Sequence, residues 1–249
     1  MTYCLGILLQ SGLVLASDSR SNAGVDQVIQ VCKLAVITRP GERVIAIPSA
    51  GNRATSQSVV TQLQEAAGSG KDGEDLHAAR TLFQAAEVVG AKLREVMTRD
   101  GRFVEPYGDA SASFLVGGQI AGEAPRLFEI YLAGNFIEAT DRSCFLQIGE
   151  TKYGKPILDR ALAPDSTMAH AAKLALLSFD ATIRSNISVA PPIDLLQYQA
   201  DSFSAANLIT LEDEDPYWRD LRQAYSEGLA ELIDRLPAPP PNSVTKICK

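Results

Sequence analysis

The first eighteen residues constrain the fold most, because no charged side chain precedes Asp18. Residues 2–9 and 12–18 are apolar runs on either side of Gln10-Ser11-Gly12, a turn in which glycine easily adopts a positive φ. This pattern predicts two buried strands. Antiparallel pairing of these strands through the turn would bring Asp18 back beside Thr2.

Thr2 is a candidate nucleophile if Met1 is removed, because one residue then carries both an α-amine and a hydroxyl. An α-amine has an ordinary pKa of about 7.7–8.0, close enough to neutrality for general-base catalysis. Taken alone, Thr2 is more often an ordinary second residue. The apolar-alternating run 28–32 predicts a third strand that would present Lys33 between Thr2 and Asp18. Its ammonium would ease formation of the Thr2 alkoxide, and the carboxylate would keep that ammonium charged and oriented.

Gly51 is a candidate oxyanion donor at a strand-to-helix turn. A strand is expected over 43–47, and Ser49-Ala50-Gly51-Asn52 leads into a helix expected from about residue 53 to 67. Backbone N–H groups at such a turn point at an incoming oxyanion, and the helix N-terminus reinforces them. The alternative is a tight turn that needs glycine for backbone reasons alone. The presence of Thr2 favours the oxyanion role.

These residues resemble those of a proteasome-type β subunit in order and spacing. The matching positions are Thr2, the run Asp18-Ser19-Arg20-Ser21-Asn22-Ala23-Gly24, Lys33 and Ser49-Ala50-Gly51. A later run is similar to the bacterial branch called Anbu, the ancestral β-subunit proteins: Gly149-Glu150-Thr151-Lys152-Tyr153-Gly154-Lys155-Pro156-Ile157-Leu158. The resemblance covers about residues 2–236.

The resemblance implies an α+β fold, the four-layer αββα sandwich of N-terminal-nucleophile hydrolases with antiparallel sheets. It implies Thr2 as the nucleophile, Asp18 and Lys33 as its supporting pair, the Gly51 N–H as oxyanion donor, and Ser19 and Arg20 in support. No cofactor and no metal are implied. Homo-oligomeric assembly as a ring or an open helix is implied, because the family places its sites inside a chamber.

Two supporting positions depart from the family pattern. Proteasome β subunits hold the nucleophile's amine with a serine after a glycine, and with an aspartate near another serine. Here Glu150 takes the first place, and Asp180 precedes Ser185 by five residues, longer than the usual gap. A carboxylate near the ammonium would raise the pKa of that amine and make it a poorer base at neutral pH. We therefore predict low activity on standard peptides.

A threonine-type hydrolase that cleaves peptide or amide bonds through an acyl-enzyme is the function these residues favour. Two alternatives stay open, namely a catalytically silent assembly subunit and an amidohydrolase acting on a small molecule. With only two histidines and no H-E-x-x-H motif, a zinc hydrolase or a Ser-His triad is poorly supported.

Composition narrows the partners and the location. A net charge of −7 argues against nucleic acid, which needs a basic face. No run approaches the roughly 20 apolar residues of a membrane span, and the N-terminus lacks the basic region of a signal peptide. A cytoplasmic protein without a membrane partner is therefore expected.

Glycine and proline positions and the spacing of apolar residues predict the domains and the secondary structure of the chain. One domain is expected over residues 1–236, followed by a Pro-rich tail over 237–249. Helical spacing predicts a helix from Glu74 to about Thr98, and Gly117-Gly118 is expected to end a strand begun at Ala110. Residues 68–73 are expected to form a linker rather than a phosphate loop, and a later helix is expected to be capped by Asp165 or Ser166. The last helix is expected to be capped by Asp215, with Pro216 at N1. Its apolar stripe from Trp218 to Leu236 is either core cover or a subunit contact.

Overall fold

The computed structural model describes residues 2–23 and 27–240. Three elements of the sequence predictions lie outside these residues: Met1, the Gly24 end of the N-terminal motif, and the tail beyond residue 240. Contacts within the chain divide it into two units, Met1–Asp213 and Glu214–Lys249, each of which is described by itself. A single domain over 1–236 stays a prediction.

Two antiparallel sheets of five strands each form the centre of the first unit. The described strands are β1 (Tyr3–Leu9), β2 (Gly12–Asp18), β3 (Arg20–Ala23), β4 (Gln27–Gln30), β5 (Leu34–Arg39), β6 (Arg43–Gly51), β7 (Ala112–Ile120), β8 (Arg126–Ile130), β9 (Phe136–Glu138), β10 (Phe145–Gly149), β11 (Ile193–Gln199) and β12 (Leu208–Leu211). The first sheet has the order β10-β1-β2-β11-β12 and the second β5-β6-β7-β8-β9, while β3 and β4 pair separately as a hairpin.

Helices cover the outer faces of the two sheets. They are α1 (Arg53–Ala66), α2 (Leu82–Val104), α3 (Lys155–Ala161) and α4 (Met168–Ser185). The second unit contains a further helix, α5 (Pro216–Arg235). Apolar residues of α1 and α2 pack on one face of the second sheet in a single buried cluster with Ile45 and Phe114. On the far side of the first sheet, the rings of Tyr3 on β1 and Phe179 on α4 lie 4.5 Å apart.

A second apolar cluster fills the space between the sheets. It joins Leu15 and Tyr198 of the first sheet to Val44 and Leu115 of the second. Strands β1 and β2 are buried almost throughout, because one face meets this cluster and the other meets α4. The layers are therefore helices, sheet, sheet and helices, which confirms the predicted α+β sandwich.

The Gly117-Gly118 pair does not end a strand. Strand β7 continues through both glycines to Ile120. A Cβ at Gly118 would overlap the Val44 carbonyl oxygen, and one at Gly117 would lie 2.8 Å from Leu15 Cδ2. These glycines therefore permit close approach of the neighbouring strand and of the facing sheet rather than a turn.

The helix predicted from Glu74 begins eight residues later, at Leu82. The Asp75 carboxylate accepts the N–H groups of Gly68, Gly70 and His77, so it organises a compact turn instead. Leu76 is nevertheless buried within the helix-facing core, which extends the apolar pattern across a segment that is not helical. The prediction of a helical start at Glu74 was wrong.

The start of α4 also differs from the prediction. Its cap is Thr167, whose hydroxyl accepts the His170 N–H, rather than Asp165 or Ser166. The Ser166 hydroxyl is engaged by the Ala163 N–H, 3.0 Å away, and is thus used in the preceding turn.

The second unit, Glu214–Lys249, contains α5. Asp215 caps this helix by accepting the Trp218 N–H at 3.1 Å, and Pro216 is its first residue, as predicted. Along the predicted stripe, Leu229, Leu232 and Leu236 are 44–57% exposed, so they do not cover a core. Within residues 2–23 and 27–240, none of the helices is both long and apolar enough to span a bilayer.

Candidate active site

Thr2, Asp18 and Lys33 meet in a buried cluster. The register of β1 and β2, with Cys4 opposite Ser17, brings the start of one strand beside the end of the other. Lys33 Nζ lies 2.9 Å from Thr2 Oγ1 and 2.8 Å from Asp18 Oδ1. Thr2, Asp18 and Lys33 are 8%, 0% and 5% exposed, so the direct contact between the cation and the hydroxyl is buried.

Asp18 is held by backbone donors as well as by the cation. Its carboxylate accepts the N–H of Tyr3 at 3.0 Å and the N–H of Arg20 at 3.2 Å. Burial raises the pKa of Asp18, while the Lys33 ammonium and the two N–H groups act in the opposite direction. Because Asp18 accepts from three donors and donates to none, these contacts fit the carboxylate form.

Lys33 reaches the site from a different direction than its sequence context predicts. Among the described strands, β4 pairs only with β3, and the last bond of that hairpin runs from the Val31 N–H to the Ser19 carbonyl. The chain then crosses to the second sheet, where the Lys33 carbonyl accepts the Ser49 N–H at 3.0 Å. Lys33 Nζ also donates to the Arg20 carbonyl. The expectation of a strand over residues 28–32 was wrong in its extent, because β4 ends at Gln30, before the crossing.

Gly51 ends β6 with its N–H directed into the cleft. The Asn52 N–H bonds to the Ser111 carbonyl, so the pair Gly51–Ala112 next to it is a non-bonded pair of the antiparallel ladder. The Gly51 N–H therefore points away from β7, toward the side where β5 begins only opposite Pro48. The backbone at Gly51 has φ +100°, and a Cβ there would lie 2.5 Å from the Ser111 carbonyl oxygen. Glycine is required at this position.

Ser19 and Arg20 contribute their backbones to the site. The Ser19 N–H donates to the Ala190 carbonyl, and the side chain is buried. Arg20 supplies an N–H to Asp18 and a carbonyl to Lys33, whereas its guanidinium leaves the site and donates to the Ile187 carbonyl at 2.7 Å.

Glu150 contacts Thr2 through the main chain. Its N–H donates to the Thr2 carbonyl at 2.7 Å, which fixes the backbone of the candidate nucleophile. The buried carboxylate accepts from Asn186 Nδ2 at 2.8 Å and pairs with Lys152 at 3.3 Å. Sequence reasoning missed Asn186, since an asparagine just after a helix carries no catalytic signature.

Asp180 and Ser185 both lie on α4 but differ in surroundings. Asp180 is 2% exposed and forms an ion pair of 3.0 Å with Arg184 on the next turn. Ser185 is the last residue of that helix and is exposed. Asp180 and Ser185 therefore do not share one environment, as an aspartate and a serine that hold the same amine would.

Tyr3 is a further residue that the sequence did not single out. Its hydroxyl lies 3.1 Å from Ser178 Oγ and accepts a bond from the Gln147 amide. Burial raises the pKa of Tyr3 to about 12, so the phenol stays neutral. The buried side chain and the backbone N–H, which donates to Asp18, together hold Tyr3 in place and thereby fix the segment that carries Thr2.

Two cavities adjoin the cluster on opposite sides of the end of β6. The first, of about 230 Å³, lies on the β5 side and is bordered by Cys32, Lys33, Ser49, Arg53 and Gln57. The second, of about 400 Å³, lies on the β7–β8 side and is bordered by Gly51, Ser111, Glu129, Tyr131 and Gly149. A substrate chain bound at the end of β6 would therefore have space on both sides of that strand. A larger cavity of about 510 Å³, lined by Cys144, Leu158 and Pro164, contains none of the candidate catalytic residues.

The chain is similar to known proteins over most of its length. The proteasome subunit family matches residues 2–195. Among solved structures, Anbu (ancestral beta-subunit) from Yersinia bercovieri is 42% identical with a TM-score of 0.90, covering 96% of this chain and 99% of that one. The helical assembly of the Anbu complex from Pseudomonas aeruginosa is 47% identical with a TM-score of 0.90, covering 96% of this chain and 98% of that one. Anbu from Hyphomicrobium sp. strain MC1 is 45% identical with a TM-score of 0.87, covering 95% of this chain and 98% of that one. None of the curated proteins matches.

Proposed function

The chain belongs to the proteasome subunit family, in its Anbu branch, and on that premise we propose that it is a threonine-type N-terminal-nucleophile hydrolase of peptide or amide bonds. The observation that carries the proposal is the 2.9 Å contact between Lys33 Nζ and the buried Thr2 hydroxyl. A cation fixed at this distance stabilises negative charge as it develops on the oxygen.

The proposed reaction begins after removal of Met1, which frees the Thr2 amine. Thr2 Oγ1 attacks the carbonyl carbon of the scissile bond, its proton passes to the amine, and the Gly51 N–H donates to the resulting oxyanion. Collapse of the tetrahedral intermediate breaks the C–N bond, and the leaving amine takes the proton from the Thr2 ammonium. Water then hydrolyses the Thr2 ester with the same amine as base, which restores the hydroxyl.

Lys33 acts in this scheme as a fixed cation. Its ammonium has three donors, and three acceptors face it: Thr2 Oγ1, Asp18 Oδ1 and the Arg20 carbonyl. An ammonium has no lone pair with which to accept a proton. This arrangement therefore favours the Thr2 amine as the base and leaves Asp18 to orient the cation.

Intact mass and covalent labelling test the proposal. We expect purified protein to lack one methionine, and a peptide vinyl sulfone to add to Thr2, as located by tandem mass spectrometry. The Thr2→Ala variant, which keeps a small second residue, is the matched control and should not be labelled. Retention of Met1 in the native protein, or labelling that Thr2→Ala does not diminish, would overturn the proposal and favour a silent assembly subunit.

We also propose that the protein self-associates into a ring or an open helical homo-oligomer. The Pseudomonas aeruginosa relative is described as a helical assembly, and the exposed leucine stripe of α5 offers an apolar contact surface.

We further propose that the protein is cytoplasmic. Cys4, Cys32 and Cys144 are free thiols, which suits the reducing cytoplasm.

A further inference from the structure

The cavity on the β7–β8 side of Gly51 has a distinct chemical character. It shares Gly51 with the small space around Thr2, so a group bound in it lies beside the residue that carries the proposed oxyanion donor. Among the residues that border it, all within the described part of the chain, Glu129 is the one ionisable carboxylate and none is basic. The cavity is therefore negative, whereas its counterpart on the β5 side contains Arg53.

Glu129 faces this cavity because of its place on β8. Phe128 and Ile130 lie in the core beneath the helices, and Leu127 lies in the cluster between the sheets. Strand alternation puts Glu129 on the same side as Leu127, at the mouth of the sandwich. Among the ion pairs described for residues 2–23 and 27–240, none involves Glu129. Burial alone raises the pKa of Glu129, because no cation offsets it.

The remaining walls suit a long cationic side chain. Tyr131 offers an aromatic ring close to the carboxylate, and ring faces attract cations. Leu132 and Ile148 offer aliphatic surface against which a lysine or arginine stem packs while its charged end reaches Glu129. A half-buried carboxylate that has no ion-pair partner among the described residues is stabilised when a cation pairs with it.

We propose that this cavity is a specificity site in which Glu129 binds a lysine or arginine side chain of the substrate, adjacent to the bond that is cleaved. The inference rests on the proposed function for the identity of the substrate as a peptide. Because the cavities at Arg53 and Glu129 lie on opposite sides of the end of β6, the two flanks of the bond meet opposite charges. The basic residue belongs on the β7–β8 flank.

Binding to a variant that lacks the nucleophile tests the site without requiring turnover. Pools of fluorescent heptapeptides, each with one fixed residue (lysine, arginine, norleucine or glutamate) among randomised positions, are titrated into full-length Thr2→Ala protein, and anisotropy is recorded at low salt. We expect the lysine and arginine pools to bind about five- to tenfold more tightly than the norleucine pool, as for a partly desolvated charge pair. Added salt should reduce the difference.

Glu129→Gln in the same background should bring the ratio of lysine to norleucine affinity close to one. The matched control is Glu65→Gln, which removes the same charge from an exposed position on α1 and should leave the ratio unchanged. Thermal unfolding checks the fold, and we expect Glu129→Gln to melt no lower than its parent, since a partly buried charge is removed. Equal affinity for lysine and norleucine pools, or a preference that survives Glu129→Gln, would overturn this inference. The proposed function would be unaffected by either result, because it is decided by Thr2 labelling.

Discussion

Lys33 joins stability to the proposed chemistry at the scale of single residues. It is the cation for a fully buried carboxylate and the closest described donor to the Thr2 hydroxyl. Removing it leaves Asp18 charged and unpaired in the interior, which is costly apart from any effect on a reaction. A single substitution therefore confuses two roles, and a double substitution separates them.

We expect Lys33→Met to lower the free energy of unfolding by about 3 kcal/mol, the typical cost of stranding a buried charge. Labelling of Thr2 by vinyl sulfone should fall at least about 100-fold, as when a preorganised donor to a reacting oxygen is removed. Chemical denaturation and intact mass measure the two effects. Asp18→Asn added to Lys33→Met should recover most of the stability but none of the labelling. Recovery of both would mean that Lys33 acts only structurally.

Tyr3 should make the fold sensitive to alkali. Its pKa is raised to about 12 by burial, against about 10 in an unfolded chain. Between these values the unfolded chain has lost the phenol proton and the folded chain retains it, so stability falls as pH rises, by up to about 1.4 kcal/mol per pH unit.

The measurement is urea unfolding at about pH 10 and about pH 11.5, both within the window set by those pKa values. We expect the loss of stability between these conditions to be smaller in Tyr3→Phe than in the parent. Other groups that titrate there, Tyr198 included, are common to both proteins and cancel in the difference. An identical loss in the two proteins would show that Tyr3 is not the titrating group.

At the scale of elements, sequence prediction succeeded where contacts are local. The two apolar strands and the turn at Gly12 fix the register that brings Asp18 back to the Thr2 end of β1, and both follow from the sequence pattern alone. The crossing that carries Lys33 from the hairpin to the second sheet depends on which sheet β5 joins, and periodicity does not encode that choice. The contact of Asn186 with Glu150 likewise depends on tertiary packing.

Two errors in the predicted elements share a cause. Leu76 is buried at helical spacing from the α2 stripe although its segment is a turn organised by Asp75. Gly117-Gly118 resembles a turn that ends a strand, although it lies within β7. In both cases burial imposed by a neighbouring layer produces a pattern that local rules assign to another structure.

The role of Gly118 within β7 leads to a test. We expect Gly118→Ala to lower the free energy of unfolding by about 2 kcal/mol or more, because the added methyl overlaps the Val44 carbonyl oxygen and forces the strands apart. Gly108→Ala is the matched control, since a Cβ there meets nothing within 4 Å, and its stability should change little. Urea unfolding decides between them. A stable Gly118→Ala would mean that the two strands can separate without penalty.

At the scale of the whole molecule, the two cavities and the buried Lys33 cation belong to a single protomer. The exposed leucine stripe of α5 bears instead on how protomers associate. Leucines at 229, 232 and 236 lie along one side of a helix that begins at a well-formed cap. Exposed apolar residues at helical spacing on a protein with a net charge of −7 are typical of a surface that another protein covers. The self-association proposed above makes a second copy the occupant we expect.

Substitution of this stripe tests whether assembly depends on α5. We expect Leu232→Glu to shift the protein to smaller species in light scattering coupled to size exclusion, because a carboxylate placed in an apolar contact loses hydration without gaining a partner. Gln223→Glu adds the same charge on the opposite side of the helix and should leave the mass distribution unchanged. If Thr2 labelling persists in the smaller species, each protomer carries a complete site. If it is lost, the site needs a neighbouring copy. An unchanged mass distribution in Leu232→Glu would show that α5 is not the surface through which the copies associate.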